Sequence, residues 1–150
     1  MLERKLPKNI QAFMTTCKKY NLRITPQRLT LYKKIITMSE HPTVDELFRN
    51  IQDELPTVSF DTVHRTLMTF ARIGLLAVVE GQGSPRRYDP NLHPHHHLHC
   101  VHCGDIIDYY HRGYDDLKIP EVIHDKYKVL SQRVVINIIC PDCQSSDETL

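Results

Sequence analysis

Four of the five cysteines form two CxxC pairs, Cys100/Cys103 and Cys140/Cys143. Each CxxC turn presents two thiolates, and two such turns compose a tetrahedral all-sulfur shell suited to Zn(II). In a reducing cytoplasm such pairs are more often metal ligands than disulfides; a redox pair or core cysteines are the competing readings. Thirty-six residues separate the pairs, more than in an ordinary zinc ribbon. A zinc there would join the ends of a β-β-α-β unit, where closing a long loop has its largest effect. Cys17, alone on an apolar helix face, reads as a core residue.

Seven of the ten histidines fall between His93 and His111. In the run HPHHHLHC, strand alternation puts His95, His97 and His99 on one face and His96, Leu98 and Cys100 on the other. The 95/97 pair therefore points away from the cysteine knuckle and would serve a different metal. Imidazoles with carboxylates suit Mn(II), Fe(II) or Zn(II) better than all-sulfur shells do. A solvated histidine run, or a non-specific divalent-metal binder, is the competing reading.

These groups need elements to hold them. Residues 7–20 read as a helix, with Pro7 in the first turn and Ile10, Phe13, Met14 and Cys17 on one stripe. A second helix starts at Thr25-Pro26, with Leu29, Leu31, Tyr32, Ile35 and Ile36 apolar. A third starts at Thr43, where Glu46 completes a capping box. A fourth is capped by Ser59 and closed by Gly74, and its buried stripe is Phe60, Val63, Leu67, Phe70 and Ile73. Residues 75–80 read as a strand, 81–83 as a turn and 86–89 as the returning strand. Helices followed by a hairpin give a winged helix-turn-helix. Residues 90–94 look like a hinge. Beyond it, 95–101 and 105–110 read as strands around a CxxCG knuckle, 113–127 as a helix with its start blurred by Pro120, and 129–139 as a long strand. The tail from Gln144 reads as polar and frayed. The expected fold class is α+β: a winged helix-turn-helix domain over 1–90 followed by a small α/β domain over 95–150 with a four-cysteine zinc site.

The chain has 150 residues, 41% apolar and 25% charged, close to the average soluble composition. No apolar run is long enough to span a bilayer, and the N-terminus lacks the apolar stretch of a secretory signal. The expected compartment is the cytoplasm, with no membrane partner. Residues 1–90 carry 14 Lys/Arg against 9 Asp/Glu, and residues 91–150 carry 5 against 9. The first part can meet an anionic partner and the second can collect cations. The face of the fourth helix offers Asp61, Thr62, His64 and Arg65 beside its cap Ser59, types that contact bases and phosphates. Arg23, Arg86 and Arg87 add phosphate or minor-groove candidates. An ordinary amphipathic helix and solvated charges are the competing readings. No phosphate loop, nucleophile motif or placed general base marks the chain as an enzyme.

LRITPQR (22–28), HPTVDELF (41–48), VSFDTVHRTL (58–67), GLL (74–76), RRYD (86–89), HHHLHCVHCGDIID (95–108) and CPDC (140–143) run in order over almost the whole chain. In this the chain resembles the ferric uptake regulator family of bacterial metal-responsive repressors. The resemblance implies a homodimer that binds a palindromic double-stranded operator, and no substrate besides a metal and, in some members, peroxide. It implies structural zinc at Cys100, Cys103, Cys140 and Cys143. It also implies a regulatory Fe(II) or Mn(II) at His41, Asp89, His95, His97 and Asp108. His41 and Asp89 belong to or border the first domain and the other three belong to the second, so one ion held by all five would fix one domain against the other.

Subgroups of the family sense iron, zinc, manganese, nickel, haem or peroxide. The peroxide-sensing subgroup resembles this chain in carrying aspartates at 89 and 108, where iron sensors commonly carry glutamates. A peroxide-responsive repressor, inactivated by oxidation of its histidine ligands, is the expected function. An iron-responsive repressor is the alternative, and a zinc- or other metal-responsive one stands behind it. The chain also departs from its relatives. His64 replaces a tyrosine usual in the fourth helix, and Gln132 stands where some relatives place a histidine for an additional metal. His93, His96, His99 and His102 have no implied role, although His96 or His99 could substitute as a ligand.

Overall fold

A computed structural model describes residues 8–38, 41–79 and 86–147. The chain divides into two compact units, Met1–Leu92 and His93–Leu150.

The first unit contains α1 (Lys8–Lys19), α2 (Pro26–Ile35), α3 (Val44–Asn50), α4 (Phe60–Arg72), β1 (Ala77–Val79) and β2 (Arg87–Asp89). Three of the helices begin at side-chain caps. Thr25 Oγ1 accepts from the Arg28 amide, and Ser59 Oγ from the Thr62 amide. Thr43 and Glu46 form a reciprocal capping box. Gly74, at φ +83°, closes α4 in the left-handed region, and the Leu75 amide returns to the Phe70 carbonyl. The helices bury one apolar cluster, with Phe13, Tyr32 and Phe70 packed ring against ring. β1 and β2 pair antiparallel, Val78 opposite Tyr88. This is a winged helix-turn-helix.

Two details differ from the sequence reading. Phe60 is not part of the buried stripe: it is 46% exposed and meets the Phe48 ring edge to face, at 5.6 Å between centroids. As the first residue of α4, it stands before the stripe enters the core. The strand expected from residue 75 begins at Ala77, because Leu75 and Leu76 turn into the core immediately after Gly74. The expected turn at 81–83, the strand end at Glu80 and the helix start at Pro7 lie outside the described residues.

The second unit contains β3 (His96–Cys100), β4 (Ile106–Tyr109), α5 (Arg112–Asp115), α6 (Glu121–Lys126), β5 (Val135–Ile138) and α7 (Pro141–Asp147). The sheet order is β4-β3-β5, with β4 antiparallel and β5 parallel to β3. The single helix expected over 113–127 is two short ones. Pro120, in an extended conformation, stands at the start of α6 and cannot continue α5. The long strand expected over 129–139 is only β5, the stretch that pairs with β3. The tail expected to fray from Gln144 is instead helical to Asp147. Pro141 opens α7, the Gln144 amide returns to the Cys140 carbonyl, and Ser145 and Ser146 bond the carbonyls one turn back.

Candidate functional site

Two donor sets of different chemistry lie in the second unit. The first is sulfur. Cys100 ends β3, Cys103 follows in the CxxCG turn, Cys140 follows β5, and Cys143 sits in the first turn of α7. Gly104 is at φ +80°, which lets the knuckle reverse so that the Cys100 amide meets the Asp105 carbonyl. The Cys100–Cys143 and Cys103–Cys140 sulfurs are each 3.9 Å apart, and all four lie within 4.8 Å of one another. A regular tetrahedron of sulfurs about 2.3 Å from Zn(II) has edges of about 3.8 Å, so the donors and their spacing fit such an ion.

The protonation of these thiols points the same way. Backbone amides, of Cys103 first and of Cys140 next, pull the Cys100 thiol down to about 6. Cys143 is pushed up to about 12 by its hydrogen bond with Cys140, by burial and by the charge on Cys100. Cys103 is also raised: its Asp105 amide lowers it, but the bond with Cys100 and burial outweigh that pull. Thiolates crowded at this spacing repel one another, and a dication is what permits all of them to ionise.

The second set is nitrogen and oxygen. His97 and Asp108 are opposite one another in the β3–β4 register. Asp108 Oδ1 lies 3.1 Å from His95 Nε2 and 3.3 Å from His97 Nε2, and the two imidazole nitrogens are 3.0 Å apart. His95 Nδ1 lies 2.6 Å from the His93 carbonyl. Donation there places the proton on Nδ1 and leaves the Nε2 lone pair for the centre of the set, the usual arrangement of a metal-binding imidazole. His97 Nδ1 lies 3.4 Å from the Arg133 guanidinium. His96 points to the other face. Its Nδ1 accepts from the Val134 amide and its Nε2 meets Asp115 at 2.8 Å. His99 meets Asn137, so neither neighbour joins the 95/97/108 set.

A smaller N/O pair lies in the first unit. His41 Nε2 is 3.4 Å from Asp89 Oδ2, both residues buried. Asp89 Oδ1 accepts from the Asn91 amide.

The nucleic-acid candidates spread along α4 and the hairpin. Ser59 is the cap of α4, and its hydroxyl also bonds the Thr62 hydroxyl. Asp61 and Arg65 form an exposed i,i+4 ion pair at 2.7 Å, with His64 half-buried between them. Arg23 and Arg86 are exposed. Arg87 turns inward instead: it donates to the His41 carbonyl at 2.9 Å and lies 3.9 Å from Glu46. Sequence reasoning missed the surroundings of the ligands, including the His93 carbonyl behind His95 and the Arg87 contact behind His41. Only the arrangement RxD at 87–89, with both residues on one strand face, hinted at the second.

The profile of the Ferric uptake regulator family matches residues 19–137. The chain belongs to this family. It is similar to the peroxide-responsive repressor PerR of Staphylococcus saprophyticus, 31% identical over 132 residues, 87% of this chain and 88% of the relative. The PerR of Staphylococcus epidermidis is 29% identical over 136 residues, 90% of each chain. Among solved structures, the ferric uptake regulator Fur of Helicobacter pylori, described as having three functional metal-binding sites, superposes with a TM-score of 0.72 at 23% identity over 91% of each chain. PerR from Streptococcus pyogenes superposes with a TM-score of 0.53 at 25% identity, over 96% of this chain and 99% of that one.

Proposed function

We propose that this chain is a cytoplasmic, metal-dependent transcriptional repressor that binds operator DNA as a homodimer and loses that binding on exposure to peroxide. The observation that carries the reading is the separation of donor types. A closed four-sulfur set suits a permanent structural Zn(II), and a distinct imidazole–carboxylate set suits an exchangeable Fe(II) or Mn(II).

His41 and Asp89 supply two donors, and His95, His97 and Asp108 supply three. All five are the proposed ligands of one regulatory ion. An ion that needs donors from both units favours the arrangement in which both reach it, and this shifts the population toward the DNA-competent form. In that form α4 presents Ser59, Asp61, Thr62, His64 and Arg65 to the major groove, and Arg23 and Arg86 meet phosphates. The proposed dimer surface is built from the exposed apolar side chains of the second unit, among them Leu130, 84% exposed, and Val135, 50% exposed.

Peroxide sensing is supported by the relatives named above and by the aspartates at 89 and 108, whose shorter side chains can leave a coordination position open. Bound Fe(II) supplies one-electron chemistry with peroxide, which Mn(II) does not. His41 and His95 are the proposed acceptors of one oxygen atom. The peroxide O–O bond breaks, one oxygen replaces hydrogen on an imidazole ring carbon and the other leaves as water, so that peroxide is the net two-electron oxidant of the ring. The oxygen would weaken the set and uncouple the units. The test is binding to a duplex selected from a random library, with and without Mn(II). Wild type should require the metal. His41→Ala should keep its zinc and its dimer but lose the metal dependence. Full Mn(II) activation of that variant would exclude His41 as a ligand.

A further inference from the structure

One face of β2 grips His41 at both ends. Residues 87 and 89 point the same way from the strand. Asp89 faces the His41 imidazole at 3.4 Å, and Arg87 Nη1 donates to the His41 carbonyl at 2.9 Å. The loop is stitched to the strand beyond these contacts. The Tyr88 amide donates to the Pro42 carbonyl at 3.0 Å, and Thr43 forms an isolated antiparallel bridge with Arg87. Glu46 Oε2 accepts from the Thr43 amide at 2.8 Å and lies 3.9 Å from Arg87. The guanidinium therefore spans from the carbonyl of the histidine to the carboxylate that caps α3. A phosphate contact needs a guanidinium free to reach outward. The Arg87 side chain is only 20% exposed, whereas its neighbour Arg86 lies open to solvent.

We propose that Arg87 is a positioning residue for the regulatory metal: its clamp on the His41 carbonyl presents the imidazole beside Asp89, and it does not contact DNA. This rests on the reading of His41 and Asp89 as ligands. A charged donor on a ligand's own backbone restricts where the side chain can stand, as outer-shell partners of metal ligands do elsewhere. The clamp also ties the ligand to the cap of α3, so that occupancy of the site and the helix-turn-helix share one set of hydrogen bonds.

The experiment is Mn(II) affinity of the full zinc-loaded chain, measured by competition with a fluorescent chelator, in wild type, Arg87→Met, Arg87→Lys and His41→Ala. Arg87→Met should bind Mn(II) about tenfold more weakly, the lower end of what outer-shell substitutions do. Arg87→Lys keeps the charge and one donor; it should fall between wild type and the methionine variant, and it carries the test if the latter does not fold. At saturating Mn(II), the salt dependence of duplex binding should match wild type in both, where a lost phosphate contact would lower the slope by about one. Wild-type Mn(II) affinity in the folded Arg87 variants, with weakened binding in His41→Ala, overturns the positioning role alone. A reduced salt slope overturns it also, in favour of a phosphate contact. Unchanged Mn(II) affinity in His41→Ala would instead remove the ligand assignment on which the proposal rests.

Discussion

His97 and Asp108 are directly opposed across β3 and β4, with Asp108 Oδ1 3.3 Å from His97 Nε2 and 3.1 Å from His95 Nε2. One carboxylate oxygen thus faces two imidazole nitrogens, one from His97 within β3 and one from His95, the residue just before the strand. The sheet register itself brings His97 and Asp108 together, and the His93 carbonyl holds the His95 ring beside them. Asp108→Ala should therefore weaken Mn(II) binding at least tenfold while leaving zinc content and fold intact. Chelator competition and metal analysis measure both; loss of zinc in this variant would show that the two donor sets are not independent.

The thiolate set gives a pH prediction. Cys143 is held up to about 12 and Cys103 is raised, so both carry protons near neutral pH, whereas Cys100, at about 6, is already ionised. Zinc needs thiolates and expels those protons. Zinc affinity should rise with pH, by about tenfold per unit for each proton expelled, and acid should release the metal. Competition titrations at two pH values near neutrality measure the slope. An affinity independent of pH would mean that the thiols are already ionised in the zinc-free chain.

A zinc ion in this set would join the end of β3 to the β5–α7 junction, across the 36 residues that separate Cys103 from Cys140 in the chain. Cys100→Ser or Cys140→Ser should lose the metal, the dimer and several kcal/mol of stability together. Thermal unfolding with sedimentation reads all of these, and an intact dimer of wild-type stability would contradict a structural role.

Gly74 makes a separable prediction about the winged helix-turn-helix unit. An alanine Cβ there meets nothing within 4 Å, but φ is +83°. Gly74→Ala should cost about 1–2 kcal/mol through backbone strain alone, read from chemical denaturation. A cost near zero would mean that the turn after α4 relaxes.

The features legible in the sequence were those decided within a few residues. Thr25, Thr43 and Ser59 cap their helices through bonds spanning three residues, and the CxxC pairs and the 95/97 alternation are equally local. What could not be read was decided at a distance. Arg87 reads as one more exposed cation, until a contact 46 residues away turns it onto His41. The strand expected over 129–139 is cut to the residues that β3 can pair. Phe60 fits the helical period, yet the core does not extend to the first turn of α4.

In α4, Arg65 is paired with Asp61 on the surface at 2.7 Å. Such a pair contributes little to stability. Arg65→Ala should leave unfolding within about 0.5 kcal/mol of wild type, yet weaken operator binding by about 1–3 kcal/mol if the guanidinium reads a base. Equal losses on operator and random duplex would make Arg65 a phosphate contact.

The most direct test of a peroxide-responsive, metal-dependent repressor is intact and peptide mass spectrometry of the Fe(II)- and Mn(II)-loaded protein after a low dose of peroxide, alongside duplex binding. The expected result is a gain of one oxygen at His41 or His95 and loss of the operator in the Fe(II) form only, with the zinc cysteines unmodified and the Mn(II) form still bound. An Fe(II) form that keeps both its mass and its operator would contradict peroxide sensing and leave an iron-responsive repressor. Cysteine oxidation with loss of zinc, and with both histidines intact, would place the sensing in the thiolate set instead.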